Sequence, residues 1–554
     1  MTRLMRDLFA AVALIAASIG SLSAQDTVQV VVVATTDIHG RVYHWDYVRD
    51  AEAPWGLTRA ATIVDSLRQA YPGRVLVVDA GDLIQGSPFA TYFATQRPAS
   101  PHLVMDALNA VGYDVATPGN HDFDFGLEVF ALATASAAFP FVSGNVFRLP
   151  RDTLVFPGYA VVHRGVRVGV TGFTTPGTMV WNRGRLADRV MVRRIVPQAE
   201  GVLRDMDSAG VDLRVVVMHS GMGEPSSYDT TGVGAENVAP YLTALPVKPH
   251  LVVVGHTHRT VKDVTIEGVH FMQPPPWARG LALAHVWLVQ RDGRYRVVRI
   301  EGERIPLAGV PPHPVVTRRL EQRHASVRNW VNLPLATVEG EWSARFARAQ
   351  DTPIIDFINE VQRHRIDADL SATAAFDPAA RFGPNEVRLR DVAGVYPYEN
   401  TLMAVRIDGS ALGAYLERSA AYFRTFRPGE PIINETIPSY DFDMVSGVEY
   451  VIDLTRPVGQ RVRQLTYQGE LVRPSDTFTL ALNSYRQRGG GGFEMLAGLP
   501  VVYDRGEDIR DLIVEFLRSV TVVRSDEYFT PSWQIIPPEA AEAVRAAVAR
   551  QGRR

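Results

Sequence analysis

The chain has 554 residues, of which 46% are apolar, so it can bury large cores and is long enough for two or more domains. Its formal net charge is −3 without a long run of one sign, so nothing in the sequence indicates a basic stripe that binds a nucleic-acid polymer. The absence of cysteine excludes disulfides, thiolate metal sites and a lipid-modified cysteine anchor.

The first residues have the pattern of a secretory signal. Arg3 and Arg6 supply positive charge, and the apolar run from Leu8 to Ile19 is short for a membrane span. We expect cleavage after Ala24, so that residues 1–24 form a signal peptide; an uncleaved anchor is the alternative. The sequence therefore predicts a periplasmic or secreted protein without a stable membrane anchor.

Between residues 28 and about 290, short Val-rich runs alternate with amphipathic segments. Continuous apolar strands separated by helices indicate α/β structure with sheets that are covered on both faces. Strands are predicted at 28–35, 74–79, 114–117, 140–144, 159–163, 166–173, 212–218, 250–254, 269–272 and 281–289.

Four prolines between residues 306 and 314 mark a domain boundary. We place a first domain at 25–312, a linker helix at 313–333 and a second domain at 334–537. The second domain mixes helices, predicted at 353–363 and 410–423, with strands at 404–408, 447–453, 462–467 and 476–482. Residues 538–554 are Ala/Arg-rich, and we expect a tail with a short helix followed by disorder.

Five short polar segments follow strand-like runs of the first domain. They are Asp37-Ile38-His39-Gly40, Asp79-Ala80-Gly81-Asp82, Gly119-Asn120-His121-Asp122, His219, and Gly255-His256-Thr257-His258. Asp37 and His39 lie on the same side of an extended chain and can hold one ion together. Imidazole and carboxylate ligands suit zinc, manganese, iron or cobalt. Together the segments predict a two-metal hydrolytic centre, with ions about 3.5–4 Å apart.

These motifs, in this order, resemble those of the calcineurin-like metallophosphoesterases. The second domain resembles the C-terminal domain of the 5'-nucleotidase superfamily, and the similarity is greatest to the periplasmic 2',3'-cyclic-nucleotide 2'-phosphodiesterase/3'-nucleotidases. The resemblance implies an α/β/β/α sandwich joined by the linker helix to an α+β domain. The stretches that support it are 35–39, 81–88, 398–402, 440–443 and 483–486.

The resemblance implies two divalent metal ions. One is held by Asp37, His39, Asp82 and His258, and the other by Asp82, Asn120, His219 and His256. It also makes His121 the catalytic histidine that stabilises charge on the phosphoryl oxygens. Asp124 matches the residue that orients this histidine, although a solvated loop carboxylate is the alternative.

The resemblance further implies that two aromatic side chains of the second domain sandwich a nucleobase. Tyr440 and Tyr485 are the best matches, and Phe442 is a third candidate for substrate binding; core aromatics are the alternative. The arginines that hold a 5'-phosphate in 5'-nucleotidases have no counterpart in residues 370–376, and Arg381 is displaced. This difference favours 2',3'-cyclic or 3' substrates.

We therefore expect an enzyme that opens 2',3'-cyclic nucleotides to 3'-nucleotides and releases phosphate from 3'-nucleotides. Its partners are small-molecule nucleotides, with no nucleic-acid polymer and no obligate protein partner. A 5'-nucleotidase or UDP-sugar hydrolase is the alternative, and a thiosulfohydrolase is a more distant one. A binding protein that lost its chemistry is disfavoured by the intact ligand set.

Overall fold

The computed structural model describes residues 27–551 except 97–101, 187, 227–228 and 230–231. The predicted signal peptide lies outside the described residues. The first domain contains two large mixed sheets. In spatial order, the strands of one sheet are Arg294–Pro306, Gly280–Arg291, Thr27–Thr35, Val75–Asp79 and Val115–Ala116. Those of the other are Val261–Ile266, Val269–Gln273, Leu251–Val254, Leu213–His219, Arg167–Thr174 and Tyr159–His163.

The alternating sides of the Val-rich strands explain the layered arrangement. Val30 and Val32 pack in the core between the two sheets, whereas Val31 and Val33 pack against helices on the outer face. The second sheet repeats this, since Val215 and Val217 belong to the core between the sheets, and Val216 and Met218 to the opposite core. Both faces of each strand are therefore covered, which confirms the predicted α/β/β/α sandwich.

Helices cover both outer faces of the sandwich. The longer ones in the first domain are Leu57–Ala70, Leu103–Val111, Gly126–Ser136 and Ile195–Ser208. Short helical segments span Pro88–Thr91, Tyr92–Gln96, His121–Phe123, Thr178–Trp181, Arg183–Leu186 and Ala239–Ala244. The predicted linker helix spans Pro314–Val331, and its Val316, Leu320 and Val327 are buried in the first-domain core. The linker helix therefore packs on the first domain and is not a free spacer between the two domains.

The second domain has an α+β structure. Its largest sheet has the strands Asp443–Ser446, Leu370–Ala374, Thr477–Asn483, Thr401–Asp408 and Val501–Asp508. A four-stranded sheet contains Glu470–Leu471, Val462–Tyr467, Glu449–Asp453 and Trp533–Ile536. A three-stranded sheet contains Glu386–Arg388, Pro334–Glu339 and Val522–Arg524. The helices are Pro353–Ile366, Leu389–Val395, Gly409–Ala420, Ser484–Gln487, Ile509–Ser519, Ser525–Tyr528 and Pro538–Gln551.

Two predicted elements differ from the structure. Residues 140–144 form one isolated bridge, between Phe141 and Ala116, and no regular strand. The predicted tail contains the helix Pro538–Gln551, which buries Ala540, Val544 and Val548 in the core of the second domain. Its apolar residues recur at helical spacing, so the helix is an integral part of that domain. Across the described residues, no helix has the length and apolarity required to cross a membrane.

Candidate active site

The expected metal ligands lie where parallel strands end. Strand Thr27–Thr35 runs parallel to Val75–Asp79, and Leu213–His219 runs parallel to Leu251–Val254. Because the carboxyl ends of parallel strands share one edge of a sheet, the segments after these strands meet at one end of the sandwich. The two sheets thus contribute ligands from opposite sides of a single site.

Five of the expected ligands have left-handed backbone conformations. The φ angles are 49° at Asp37, 51° at His39, 60° at Asp82, 77° at His256 and 52° at His258. Such angles are uncommon for residues other than glycine and cost about 1–3 kcal/mol each. Their concentration at one site shows that the surrounding structure imposes side-chain directions that a relaxed loop would not adopt.

The side chains form two groups, each of which can hold a metal ion. One group is Asp37, His39 and His258. The other is Asp37, Asp82 and His219. Nε2 of His39 lies 3.0 Å from Nε2 of His258 and 3.8 Å from Oδ2 of Asp82. Nε2 of His219 lies 3.0 Å from the same Asp82 oxygen. Asp82 therefore lies between two histidines that are expected on different ions, while Asp37 is the residue that belongs to both groups.

The chemistry of these side chains fits divalent metals. Asp37 and Asp82 are at most 1% exposed, and a buried carboxylate requires a compensating positive charge. The side-chain oxygen of Asn120 is buried and has no hydrogen-bond partner among the described residues, as expected of an atom reserved for a ligand. Burial lowers the pKa of His39 to about 3; burial also lowers the pKa of His219, but Asp82 and Asp37 outweigh it and raise that value to about 9.

His256 stands apart from these two groups. Its Nε2 is hydrogen-bonded to Glu236, and its ring centroid lies 5.0 Å from that of His219. Glu236 is 7% exposed and also accepts a hydrogen bond from the hydroxyl of Ser226. Sequence reasoning missed Glu236 because it lies in a loop 20 residues before His256 and matches no spacing rule.

Asp122 organises the loops that present Asp82 and Asn120. Its carboxylate accepts hydrogen bonds from the backbone amides of Asp82, Leu83, Ile84 and Gly119 at 2.8–3.1 Å. Burial raises the pKa of Asp122 to about 6, while these amides oppose the shift. Asp122 belongs to the Gly119-Asn120-His121-Asp122 motif, but the sequence alone predicts no role for it.

His121 is held by a chain of side chains beside the ligand cluster. Its Nδ1 lies 2.7 Å from Oδ2 of Asp124, and the other Asp124 oxygen accepts a 2.6 Å hydrogen bond from Asn182. Burial lowers the pKa of His121, but Asp124 and Asp82 outweigh it and raise the value to about 10. Asp124 is thus in a position to orient His121, and Asn182 is a further partner that the sequence did not indicate.

A cavity of about 800 Å³ opens above this site and is lined by both domains. The first domain contributes Asp82, Asn120, His121, His256 and His258, and the second contributes Tyr398, Tyr440 and Tyr485. Tyr440 is 38% exposed, so its ring is accessible. The volume is within the range of roughly 300–1,000 Å³ that is typical of small-molecule sites.

Phe442 does not take part in the cavity, and its expected role in substrate binding is wrong. The side chain is fully buried, and its ring packs 5.0 Å from Phe423 and 5.6 Å from Trp533 in the second-domain core. It lies just after the helical turn Ser439–Asp441, so it does not share a face with Tyr440 as it would in an extended strand.

Arg486 connects the segments that contain the two cavity tyrosines. The guanidinium group lies 5.3 Å from the ring of Tyr485 and donates a hydrogen bond to the carbonyl of Tyr440. It is buried with Asp443 at 2.7 Å and Asp441 at 3.0 Å. Its charge is therefore balanced within the protein, and the residue supports the two tyrosine segments.

Comparison with known families agrees with this geometry. Residues 30–260 match the calcineurin-like phosphoesterase family, and residues 334–498 match the 5'-nucleotidase C-terminal domain. The chain is 30% identical over 563 residues to the Haemophilus influenzae 2',3'-cyclic-nucleotide 2'-phosphodiesterase/3'-nucleotidase, with 88% of this chain and 84% of the relative covered. The chain belongs to the two-domain phosphoesterases that join these two units. It is a metal-dependent phosphoester hydrolase.

Two further proteins show how this hydrolase relates to others. The trifunctional nucleotide phosphoesterase protein YfkN of Bacillus subtilis is 28% identical over 93% of this chain, which spans only 39% of YfkN. A crystal structure of a 5'-nucleotidase precursor from Thermus thermophilus superposes with a TM-score of 0.64 at 22% identity, covering 92% of this chain and 99% of the other. The latter similarity supports the fold.

Replacement of Gly119 tests whether the observed position of the Asp82 carboxylate is required for metal binding. A Cβ atom at Gly119 would lie 2.1 Å from Oδ1 of Asp82 and 2.4 Å from its backbone nitrogen. We expect Gly119→Ala to displace Asp82 and to lower the number of bound ions per chain, measured by elemental analysis after dialysis against buffered metal. Gly201→Ala is the matched control, because a Cβ there meets nothing within 4 Å. Full metal content in Gly119→Ala would contradict the predicted role of Asp82.

Proposed function

We propose that this hydrolase opens 2',3'-cyclic nucleotides to 3'-nucleotides and then releases phosphate from the 3'-nucleotides. One observation carries the proposal: a single cavity joins the ligand cluster of the first domain to Tyr440 and Tyr485 of the second. A nucleotide presents a phosphate at one end and a flat base at the other, so it requires both features.

We further propose export to the periplasm or the medium after cleavage near Ala24.

The proposed centre holds two divalent ions, which can be zinc, manganese, cobalt or iron. The ligands of one are Asp37, His39, Asp82 and His258, and those of the other are Asp82, Asn120, His219 and His256. Bound metal supplies an activated water and stabilises charge on the attacking and leaving oxygens. The short distances from Asp82 to His39 and His219 support its role as the shared ligand.

His121 is the proposed catalytic residue beside the metals. Because Asp124 occupies its Nδ1, the opposite ring nitrogen remains to face the phosphoryl oxygens. Asn182 fixes Asp124 in turn, so the imidazole cannot rotate freely. Preorganised donors of this kind stabilise charge that develops in the transition state without reorganising during the reaction.

The base is proposed to stack on Tyr440 and Tyr485. Such stacking is worth about 1–3 kcal/mol per base and tolerates any base. The preference for cyclic and 3' substrates rests on the missing arginines at 370–376 and on the similarity to the Haemophilus influenzae 2',3'-cyclic-nucleotide 2'-phosphodiesterase/3'-nucleotidase. The described residues that line the cavity include the arginines Arg185, Arg486 and Arg488, and the charge of Arg486 is balanced by Asp441 and Asp443.

A substrate panel tests the proposal directly. Initial rates of phosphate release or ring opening are measured with 2',3'-cyclic AMP, 3'-AMP, 5'-AMP and bis(4-nitrophenyl) phosphate after loading with manganese, cobalt or zinc. We expect the cyclic ester and 3'-AMP to be hydrolysed with a higher kcat/KM than 5'-AMP. A kcat/KM for 5'-AMP far above that for the cyclic ester would replace the proposal with a 5'-nucleotidase.

Replacement of His121 separates catalysis from metal binding. We expect His121→Ala to lower kcat about 100-fold to 1,000-fold, which is typical of removing one preorganised donor, while the metal content remains that of the wild type. Turnover is measured with 2',3'-cyclic AMP. His163→Ala is the control because His163 is exposed and pairs with Arg167, at the end of strand Arg167–Thr174 that is opposite to His219. Loss of metal together with activity would make His121 a ligand.

Replacement of the tyrosines tests the base site independently. We expect Tyr440→Ala and Tyr485→Ala each to raise KM for 3'-AMP about fivefold to 150-fold, which corresponds to about 1–3 kcal/mol of lost stacking. Because ribose 3-phosphate carries neither a nucleobase nor another aromatic ring, its ratio of mutant to wild-type kcat/KM is the internal control. Equal losses on both substrates would show that the tyrosines affect the metal centre and not base binding.

A further inference from the structure

Gln85 lies between the metal-ligand cluster and the second domain. Nδ1 of His39 is 3.0 Å from the backbone oxygen of Gln85 and 3.2 Å from its side-chain oxygen. The opposite ring nitrogen of His39 faces His258 and Asp82. Gln85 therefore holds the side of the imidazole that points away from the ligand cluster, and this contact fixes the orientation of the ring.

Glu399 reaches Gln85 from the other domain. Its carboxylate accepts hydrogen bonds from the side-chain amide of Gln85 and, at 3.0 Å, from the hydroxyl of Thr91. Within its own domain, Glu399 pairs with Arg510 at 3.1 Å, and both side chains are at most 8% exposed. A buried carboxylate that is held by its own domain thus accepts hydrogen bonds from two residues of the other.

Arg510 is itself fixed, which makes Glu399 a rigid element. Its guanidinium group donates to the carbonyl of Tyr396 at 3.0 Å and to that of Pro397 at 2.9 Å. These carbonyls belong to the segment just before Glu399, so the carboxylate is positioned by its own domain. Any change in the relative position of the domains must move Glu399 with respect to Gln85.

The two ends of the Gln85 amide have different partners. The oxygen faces His39 and the nitrogen donates to Glu399, so each contact helps to determine the rotation of the amide group. Hydrogen bonds to a charged acceptor are about twice as strong as those between neutral groups. Loss of Glu399 from its place would therefore release the amide from the rotation that supports His39.

We propose that Gln85 and Glu399 are positioning residues through which the arrangement of the two domains sets the affinity for the metal ion that His39 holds. The inference rests on the proposed metal-ligand role of His39. It adds that the metal centre is completed by the second domain, although the expected ligands come from the first. Partners of metal-binding histidines typically change metal affinity or activity by about 10-fold to 100-fold when they are replaced.

Two variants of Gln85 test the connection, and both leave Arg510 paired with Glu399. Gln85→Ala removes the link, and Gln85→Glu places a second carboxylate against Glu399. We expect both to weaken the binding of one ion about 10-fold to 100-fold, measured by competition with a chromophoric chelator, with the other ion unaffected. Thr91→Val is the matched control, because Thr91 contacts the same carboxylate but not His39.

Variants of Glu399 test the same connection from the second domain. Glu399→Gln keeps an acceptor for Gln85 and should retain metal affinity close to that of the wild type, whereas Glu399→Ala should lower it. In a Gln85→Ala background, Glu399→Ala should have no further effect on metal affinity, because the link is already broken. Thermal unfolding of each variant identifies one that fails to fold, in which case the Gln85 pair decides.

The arrangement of the domains provides a second readout. Because the chain has no native cysteine, Glu128→Cys and Glu430→Cys can carry a pair of spin labels, one in each domain. We expect Gln85→Glu to broaden the distance distribution between the labels and Thr91→Val to change it less. Wild-type metal affinity in both Gln85 variants would overturn the inference. A wild-type protein that binds no metal would instead overturn the proposed function on which it rests.

Discussion

The burial of two acidic side chains is the constraint on which the rest of this structure depends. Asp37 and Asp82 are at most 1% exposed, and isolated carboxylates at such depth are costly unless a positive charge compensates them. Three histidines surround them at 3.0–4.0 Å. The left-handed backbone at Asp37, His39, Asp82, His256 and His258 shows that the sandwich accepts local strain to keep this cluster together.

The second domain completes the cavity above the expected metal ligands. The cavity above the ligands is lined by Tyr398, Tyr440 and Tyr485, and Arg486 ties the segments of the latter two together. The domains also meet through Glu399, which accepts hydrogen bonds from Gln85 and Thr91. The proposed chemistry and the proposed base recognition therefore belong to different domains that line one cavity, so the relative position of the domains is part of the proposed site.

Much of the site could be predicted because each ligand follows a strand of distinctive composition. The runs of valine before Asp37, His219 and His256 indicated strands covered on both faces, and the structure shows them in two parallel sheet segments. Supporting residues could not be found this way. Glu236, Asn182 and Glu399 contact partners that are 20, 58 and 314 residues away, and no periodicity relates such positions. Phe442 was expected beside Tyr440 in a loop-rich segment, but it follows the helical turn Ser439–Asp441 and is fully buried.

The sequence by itself determined that the first domain has sheets covered on both faces, that the second domain is mixed, and which side chains are available for metal binding; the α/β/β/α sandwich was implied by the family resemblance. It could do so because strand and helix periods and strand-end motifs are local properties of the chain. Only the tertiary structure decided that Asp82 lies between His39 and His219, that Pro538–Gln551 packs into the second domain, and that Glu399 reaches Gln85. These contacts join residues far apart in the chain, and they are set by the packing of sheets and domains against one another.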